Sequence, residues 1–321
     1  MKAIVVGAGI SGLTASVLLR DHGYDVEVFE TRDHIGGNCY DGNGIHQYGP
    51  HIFHTFDNSV MDFVNRFTEL NGYKHRVLAE TDEGIIPVPF NDISEALVGK
   101  KTDEQIINLI FKYYSAKQWG ARWDDLPDSI RGRVKVRREN KRTSYFLEPH
   151  QGLPKIGYSA MFDSMAEGAK VHLCCGEDDW RRQKSDIVVY SGRIDKYFDC
   201  CKSELMYRSL IIGHKSGFGE RLPAPVINHC SQYRNSTRSY DNLQLGGKDV
   251  ISTETPVAHR AGMSPYYPIR FGINEKRTQD YLSLAGKESG TVFIGRLGLN
   301  QYMNMDAAIA TTTEQIMGIL K

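Results

Sequence analysis

The segment that most narrows the possible folds is the opening run KAIVVGAGISGLTASVLLRDHG. Lys2 to Val6 is a short, unbroken apolar stretch, the pattern of a strand buried on both faces. Leu13 to His22 has helical composition, and Gly23 stops it. Between them stand Gly7, Gly9 and Gly12 in G-x-G-x-x-G spacing, with Ser11 inside the turn. A second predicted strand, Asp25 to Glu30, ends in a carboxylate that follows the glycines by on the order of 20 residues. Strand, glycine turn, helix, strand and acid together are the fingerprint of a dinucleotide-binding βαβ unit. Gly7 permits the tight turn, Gly9 lets the backbone approach a pyrophosphate, and Gly12 lets helix pack on strand. The helix N-terminus supplies N–H donors and a positive dipole. Glu30 is placed to accept hydrogen bonds from an adenosine ribose. A glycine turn in an ordinary α/β protein would need neither the second strand nor its terminal acid.

Directly after Glu30 comes RDHIGGN, Arg32 to Asn38. It resembles the second glycine motif, R-x-x-x-G-G, of flavin enzymes of the glutathione-reductase and amine-oxidase type. That resemblance selects FAD rather than NAD and assigns Arg32, Gly37 and Asn38 to the cofactor.

With 321 residues the chain exceeds one average domain, so two compact units, or one nucleotide-binding domain with inserted modules, are expected. The 39 basic residues balance 39 acidic ones and form no stripe, which excludes a nucleic-acid partner on electrostatic grounds. An anionic ligand must then be held by local arginines. The six cysteines include two adjacent pairs, Cys174-Cys175 and Cys200-Cys201, with Cys39 and Cys230 apart; reduced thiols are expected, since no zinc spacing occurs. His46, His51 and His54 lack a carboxylate or cysteine at ligand spacing, so no metal is expected. The opening residues superficially resemble a signal core, but their glycines suit a strand and turn, and no later run nears the roughly 20 apolar residues of a membrane span. A cytoplasmic protein is expected.

Between Asn91 and Gly120 the texture becomes helical. Thr102 and Gln105 form a capping box, and Ile106, Ile107, Ile110, Phe111 and Tyr114 recur at helical spacing. Ala121 to Lys141 is crowded with charge and reads as a surface segment. Ile187 to Tyr190, Ser209 to Ile212, Tyr267 to Phe271 and Thr291 to Gly295 read as strands. Asp306 to Leu320 reads as a helix with Asp306 at its N-terminus.

The segment YGPHIFHT, Tyr48 to Thr55, is nearly the histidine loop of the UDP-galactopyranose mutase family. Further matches follow in family order: IPVPFN from Ile86 to Asn91, YSAKQWG from Tyr114 to Gly120, QGLPKIGY from Gln151 to Tyr158, PYYPIR from Pro265 to Arg270, and GRLGLNQYMNMD from Gly295 to Asp306. The chain thus resembles that family over almost its full length. The resemblance implies an α/β fold, with a discontinuous Rossmann-like FAD-binding domain (residues 1–60, 157–196 and 287–321). It also implies a short helical insertion with a mobile loop (92–135) and an antiparallel-sheet substrate domain (61–91, 136–156 and 197–286).

Carried across residue by residue, Arg133 and Arg238 are implied to grip the substrate diphosphate, for which forked guanidinium bonds are suited. Tyr145, Tyr267 and Tyr302 match tyrosines that bond the phosphates, Tyr114 the aromatic that stacks on the nucleobase, and Trp119 a wall of the sugar pocket. Asn91 and Asn304 fall in matched substrate motifs. His51 and His54 belong beside the flavin, as do Arg296, Met305 and Asp306. The implied reaction interconverts the pyranose and furanose forms of a nucleotide-diphosphate sugar, with N5 of reduced FAD as nucleophile and NAD(P)H or another reductant supplying the reduced state. UDP-galactose is the expected substrate, with dTDP-fucose and UDP-N-acetylgalactosamine as related ones. Two departures bear on this. The helical insertion is shorter than in bacterial members, which leaves base preference and the choice of monomer or homodimer open. Asn304 stands where the family has Asp, and an amide binds different ligand groups from a carboxylate. An amine-oxidase-type FAD oxidoreductase, or a flavin- or nucleotide-sugar-binding protein without catalysis, shares the N-terminal fingerprint but does not require Arg133, Arg238 and the tyrosine set.

Overall fold

The computed structural model describes residues 1–132, 136, 138, 144–217 and 219–320. Five parallel strands form one sheet in the spatial order Thr291–Phe293, Ile187–Tyr190, Lys2–Val6, Asp25–Phe29, Lys170–His172. The first strand lies in the middle, and Ala3, Ile4 and Val5 are fully buried, as helices on both faces of a parallel sheet require. One face is covered by the helices Ile10–Asp21, Met305–Ile319 and Tyr158–Ala166, whose Leu13, Val17, Ile309, Ile316 and Phe162 share one core. The other face packs Ile4, Phe29 and Tyr190 against Trp180 and Tyr281.

A second sheet has seven strands in the order Tyr267–Pro268, Tyr207–Ser216, Val250–Ala258, Arg238–Asp241, Val226–His229, Val77–Thr81, Gly84–Val88. It is antiparallel except where Val226–His229 runs parallel to Val77–Thr81, a pairing between segments far apart in the chain. A short antiparallel ribbon joins Phe53–Thr55 to His150–Gly152.

The helical stretch behaves as its capping signals predict. Asn91 caps the helix Asp92–Val98, accepting from Ile93 N and Ser94 N, and Thr102 with Gln105 forms a complete capping box. From Asp103 the chain stays helical to Trp119, passing through a π-helical stretch, Ile107–Lys112, and burying Ile106 and Ile110. Arg208 closes the C-terminal end, donating from Nε to Gln118 O and from Nη2 to Lys117 O.

Several boundaries differ from expectation for physical reasons. The first helix begins at Ile10, so Gly12 lies within its first turn. The strand expected to end at Glu30 ends at Phe29. Tyr207–Ser216 is much longer than Ser209 to Ile212, because its second half is largely exposed and shows no apolar run. The strand expected through Phe271 stops at Pro268, which has no N–H for the ladder. The strand expected to Gly295 ends at Phe293, and Gly295 takes a positive φ of 71°. The last helix is capped at Asn304, with Asp306 in its first turn. All six cysteines are free thiols.

Candidate active site

The two glycine motifs are pressed together. A Cβ on Gly12 would lie 1.8 Å from Gly7 O, so the first helix can start this close to its strand only with glycine there. A Cβ on Gly37, whose φ is 56°, would lie 2.9 Å from Gly9 Cα. The result is a groove floored by backbone at the N-terminus of the helix Ile10–Asp21, where Gly9 has no side chain to cap the first N–H groups. Glu30 ties the motifs: its buried carboxylate accepts from Ala8 N at 2.7 Å and from Arg32 N at 2.9 Å. Arg32 donates from Nη2 to Asn38 Oδ1 at 2.8 Å and to Ser264 Oγ at 3.3 Å, and its guanidinium lies 4.2 Å from the Tyr48 ring centre. Its Nη1 is buried without a hydrogen-bond partner among the described residues. An unmet guanidinium N–H beside an uncapped helix N-terminus suits a diphosphate, the group at the middle of a dinucleotide.

From this groove one cavity of about 1030 Å³ runs to the second sheet. It is lined by Gly7, Gly9, Ser11, Glu30, Arg32, Gly37 and Asn38 at one end and by Tyr114, Trp119, Tyr145, Arg238, Tyr267 and Tyr302 at the other, with His51, His54, Arg296, Asn304 and Met305 also in its wall. Gly12, Asn91 and Asp306 are outside the wall: Gly12 serves helix packing, and Asn91 caps a helix. Arg133 lies outside the described residues.

Arg238, Trp119 and Tyr302 in the far chamber each have an identifiable hold. Arg238 begins the strand Arg238–Asp241 and donates from Nε to Glu254 Oε2 at 2.7 Å, across the pairing of Arg238 with Glu254 on the neighbouring strand. Burial opposes the arginine's charge, but Glu254 overrides it and holds the guanidinium well above its usual pKa. Burial pushes the Glu254 carboxyl up, and Arg238 restrains that rise. Trp119 stands 6.1 Å from Tyr267 and 6.0 Å from Tyr302, ring centre to ring centre. Arg296 lies 4.8 Å from the Tyr302 ring centre and donates to the carbonyls of Tyr266 and Met303. Burial raises the Tyr114 and Tyr267 hydroxyls above their ordinary values, so both are neutral donors. Asn304 does not cap its helix through its side chain among the described residues, and its amide is exposed to the cavity.

The histidine loop is built differently at each ring. His51 Nδ1 lies 2.8 Å from Gly49 O; burial, and then His46, Arg296 and Arg238, push its pKa down to about 3. The ring is therefore neutral, with Nδ1–H donating and Nε2 left as the acceptor. His54 stacks on Phe146 at 3.8 Å, with Nδ1 3.2 Å from Glu148 Oε1. Among the described residues no group of His, Cys, Asp and Glu is arranged to hold a metal, and no helix is long and apolar enough to cross a membrane.

Sequence reasoning missed Glu254, Glu148, Ser264 and Tyr266. Glu254 alone left a signal: it shares strand parity with Ser252 and Pro256, all facing inward in Val250–Ala258. A carboxylate on the buried face of a strand needs a cation opposite.

Residues 109–302 match the family model described as UDP-galactopyranose mutase, and residues 5–67 match that of an NAD(P)-binding Rossmann-like domain. A UDP-galactopyranose mutase of Mycoplasma pneumoniae is 32% identical, over 99% of this chain and 96% of that protein. One of Mycoplasma genitalium is 31% identical over 99% and 94%. A dTDP-fucopyranose mutase of Escherichia coli is 28% identical over 98% and 97%. Among solved structures, a CLA-producing fatty acid isomerase from P. acnes superposes with a TM-score of 0.61 at 14% identity, covering 99% of this chain and 98% of that one. A putrescine oxidase does so at 0.56 and 12%, with 99% and 98% covered. These two likenesses are of fold.

Proposed function

The chain belongs to the UDP-galactopyranose mutase family, and from that membership we propose that it interconverts UDP-galactopyranose and UDP-galactofuranose with FAD as its cofactor. Family membership makes it an isomerase acting on a nucleotide sugar. The observation that carries the finer reading is the single cavity that joins the glycine groove to the chamber of Arg238, Trp119, Tyr267 and Tyr302. The groove residues fit a flavin dinucleotide: Glu30 for the ribose, and Arg32 Nη1 with the helix N-terminus for the pyrophosphate. This reading keeps the domain limits that the resemblance implies, with residues 1–60, 157–196 and 287–321 for the cofactor, 92–135 for the helical insertion and 61–91, 136–156 and 197–286 for the substrate.

When bound and reduced, by NAD(P)H or another reductant, the flavin supplies a nucleophilic N5 for the anomeric carbon. The chain's own residues do the rest by position and charge. Arg238, with Arg133 from the sequence resemblance, neutralises the diphosphate as its bond to the sugar weakens. Tyr145, Tyr267 and Tyr302 hydrogen-bond phosphate oxygens, Tyr114 stacks on the base, and Trp119 walls the sugar and excludes water. Neutral His51, in the cavity wall, would offer Nε2 to the flavin as a hydrogen-bond acceptor and would withdraw no electron density from the reduced cofactor. Arg296 and Met305, both in the cavity wall, would hold the cofactor, Asp306 would act only through the first turn of its helix, and His54 holds the loop in place through Phe146.

The test is conversion of UDP-galactofuranose by purified protein, with and without dithionite, followed by chromatography. Conversion with reduced flavin alone is expected. If an amine or alcohol reduces the flavin while no nucleotide sugar is converted, the amine-oxidase-type reading takes its place. A protein that carries no flavin and cannot be reconstituted with FAD sinks both. A second substrate, dTDP-fucose, is favoured by one observation: Asn304, where the family has Asp, presents an amide to the cavity, and the Escherichia coli relative is a dTDP-fucopyranose mutase. Comparing kcat/KM for the two furanose nucleotides decides between them.

A further inference from the structure

Lys117 lies in the motif YSAKQWG, between the two aromatics of its helix that line the cavity, yet it does not line the cavity itself. Its ammonium reaches from the helix Tyr113–Trp119 to a different sheet segment and donates to three backbone carbonyls: His229 O at 2.7 Å, Ser236 O at 2.9 Å and Ser231 O at 3.1 Å. An ammonium has three N–H donors, so these bonds use all of them. The three carbonyls belong to one turn, the connection between Val226–His229 and Arg238–Asp241, which is also closed by His229 N to Thr237 O and His229 Nδ1 with Ser236 Oγ, and is tied to its neighbours by Thr237 N to Glu254 O, Cys230 N to Glu80 O and Arg234 to Glu80. Two residues past the last clamped carbonyl stands Arg238. On the helix, Tyr114 precedes Lys117 by three residues and Trp119 follows by two. Arg208 grips the same helix end from the strand Tyr207–Ser216, but it does not reach the turn that presents Arg238.

We propose that Lys117 is a positioning residue that sets the separation of Tyr114 and Arg238, and with it the grip on a nucleoside diphosphate. This rests on the function proposed above. A flexible stem ending in a compact cation can converge on three carbonyls; a planar guanidinium cannot meet all three at once. Loss of the clamp lets the turn relax, and Arg238 then meets the diphosphate out of register with the base-stacking ring.

The experiment is calorimetric titration of the flavin-loaded protein with UDP, using wild type, Lys117→Met, Lys117→Arg, Arg238→Ala and the double variant Lys117→Met with Arg238→Ala. Wild type should bind UDP. Lys117→Met and Lys117→Arg should each bind about tenfold more weakly with unchanged flavin content. The double variant should bind within about twofold of Arg238→Ala alone, since Lys117 acts through Arg238. Losses that multiply in the double variant would mean that Lys117 supports the fold independently, and would overturn the proposal. So would wild-type affinity in Lys117→Arg, a variant that keeps the charge and serves if Lys117→Met does not fold. A wild-type chain that binds no UDP defeats the nucleotide-sugar reading first, and this proposal with it.

Discussion

Arg238 keeps its charge at the wall of the cavity because Glu254 lies 2.7 Å from its Nε. The guanidinium is thereby aimed as well as charged, in the wall of the cavity. Arg238→Ala is expected to lose about 10²- to 10³-fold in turnover, the scale of removing one preorganised charge-stabilising donor, while flavin absorbance stays unchanged. Steady-state kinetics beside a visible spectrum checks it; turnover near wild type removes Arg238 from the reaction. The buried histidines give a pH signature of their own. Burial pushes His46 down to about 4, and His51 and His75 down to about 3. The unfolded chain takes up these protons near pH 6.5 and the folded chain does not. Stability is therefore complete above that pH and falls as pH drops toward 4, each ring contributing up to about 1.4 kcal/mol per pH unit. Urea unfolding at pH 7.5 and 5.0 measures the slope, and replacing His75 with glutamine should reduce it.

The element that governs cofactor retention is the facing pair of glycine turns. Only 2.9 Å separates a Cβ placed on Gly37 from Gly9 Cα, and the φ of Gly37 is positive. Gly37→Ala must push the second turn away from the first and move Arg32 Nη1 from the groove. The expected result is a folded protein, destabilised by about 1 to 3 kcal/mol, that purifies with little or no flavin. Wild-type flavin content in this variant would show that the two turns need not touch. The π-helical stretch Ile107–Lys112 is another element-scale feature, because it keeps Ile106, Ile110 and Tyr114, each four residues apart, on one side of the helix, where all three meet both the core and the cavity.

The cavity runs from the glycine groove to the second sheet, so a ligand that fills it touches both halves of the molecule. FAD added to apoprotein should raise the melting temperature, with stability increasing by about 2.7 kcal/mol at a hundredfold excess over Kd. Scanning calorimetry at several FAD concentrations tests this, and no shift would place the cofactor elsewhere. Much of this architecture was legible in the chain. Lys2–Val6 and Ile187–Tyr190 are continuous apolar runs because both faces of a parallel sheet are covered, and the capping box at Thr102 marks a helix start locally. What was hidden depends on distant partners. Nothing near Glu254 in sequence announces Arg238, and the exposed half of Tyr207–Ser216 carries no hydrophobic signature. The order of the parallel sheet has a further consequence for how the protein is made. Its strands come from three separated stretches, and the late ones, Thr291–Phe293 with the helix Met305–Ile319 that packs on Ile10–Asp21, leave the ribosome long after the first. The glycine groove is translated early but acquires its full support late: Tyr158–Ala166 reaches the first helix at about mid-synthesis, and the part of its apolar face that meets Met305–Ile319 stays unpaired until nearly the end. Chaperone capture during translation should therefore concentrate on that helix.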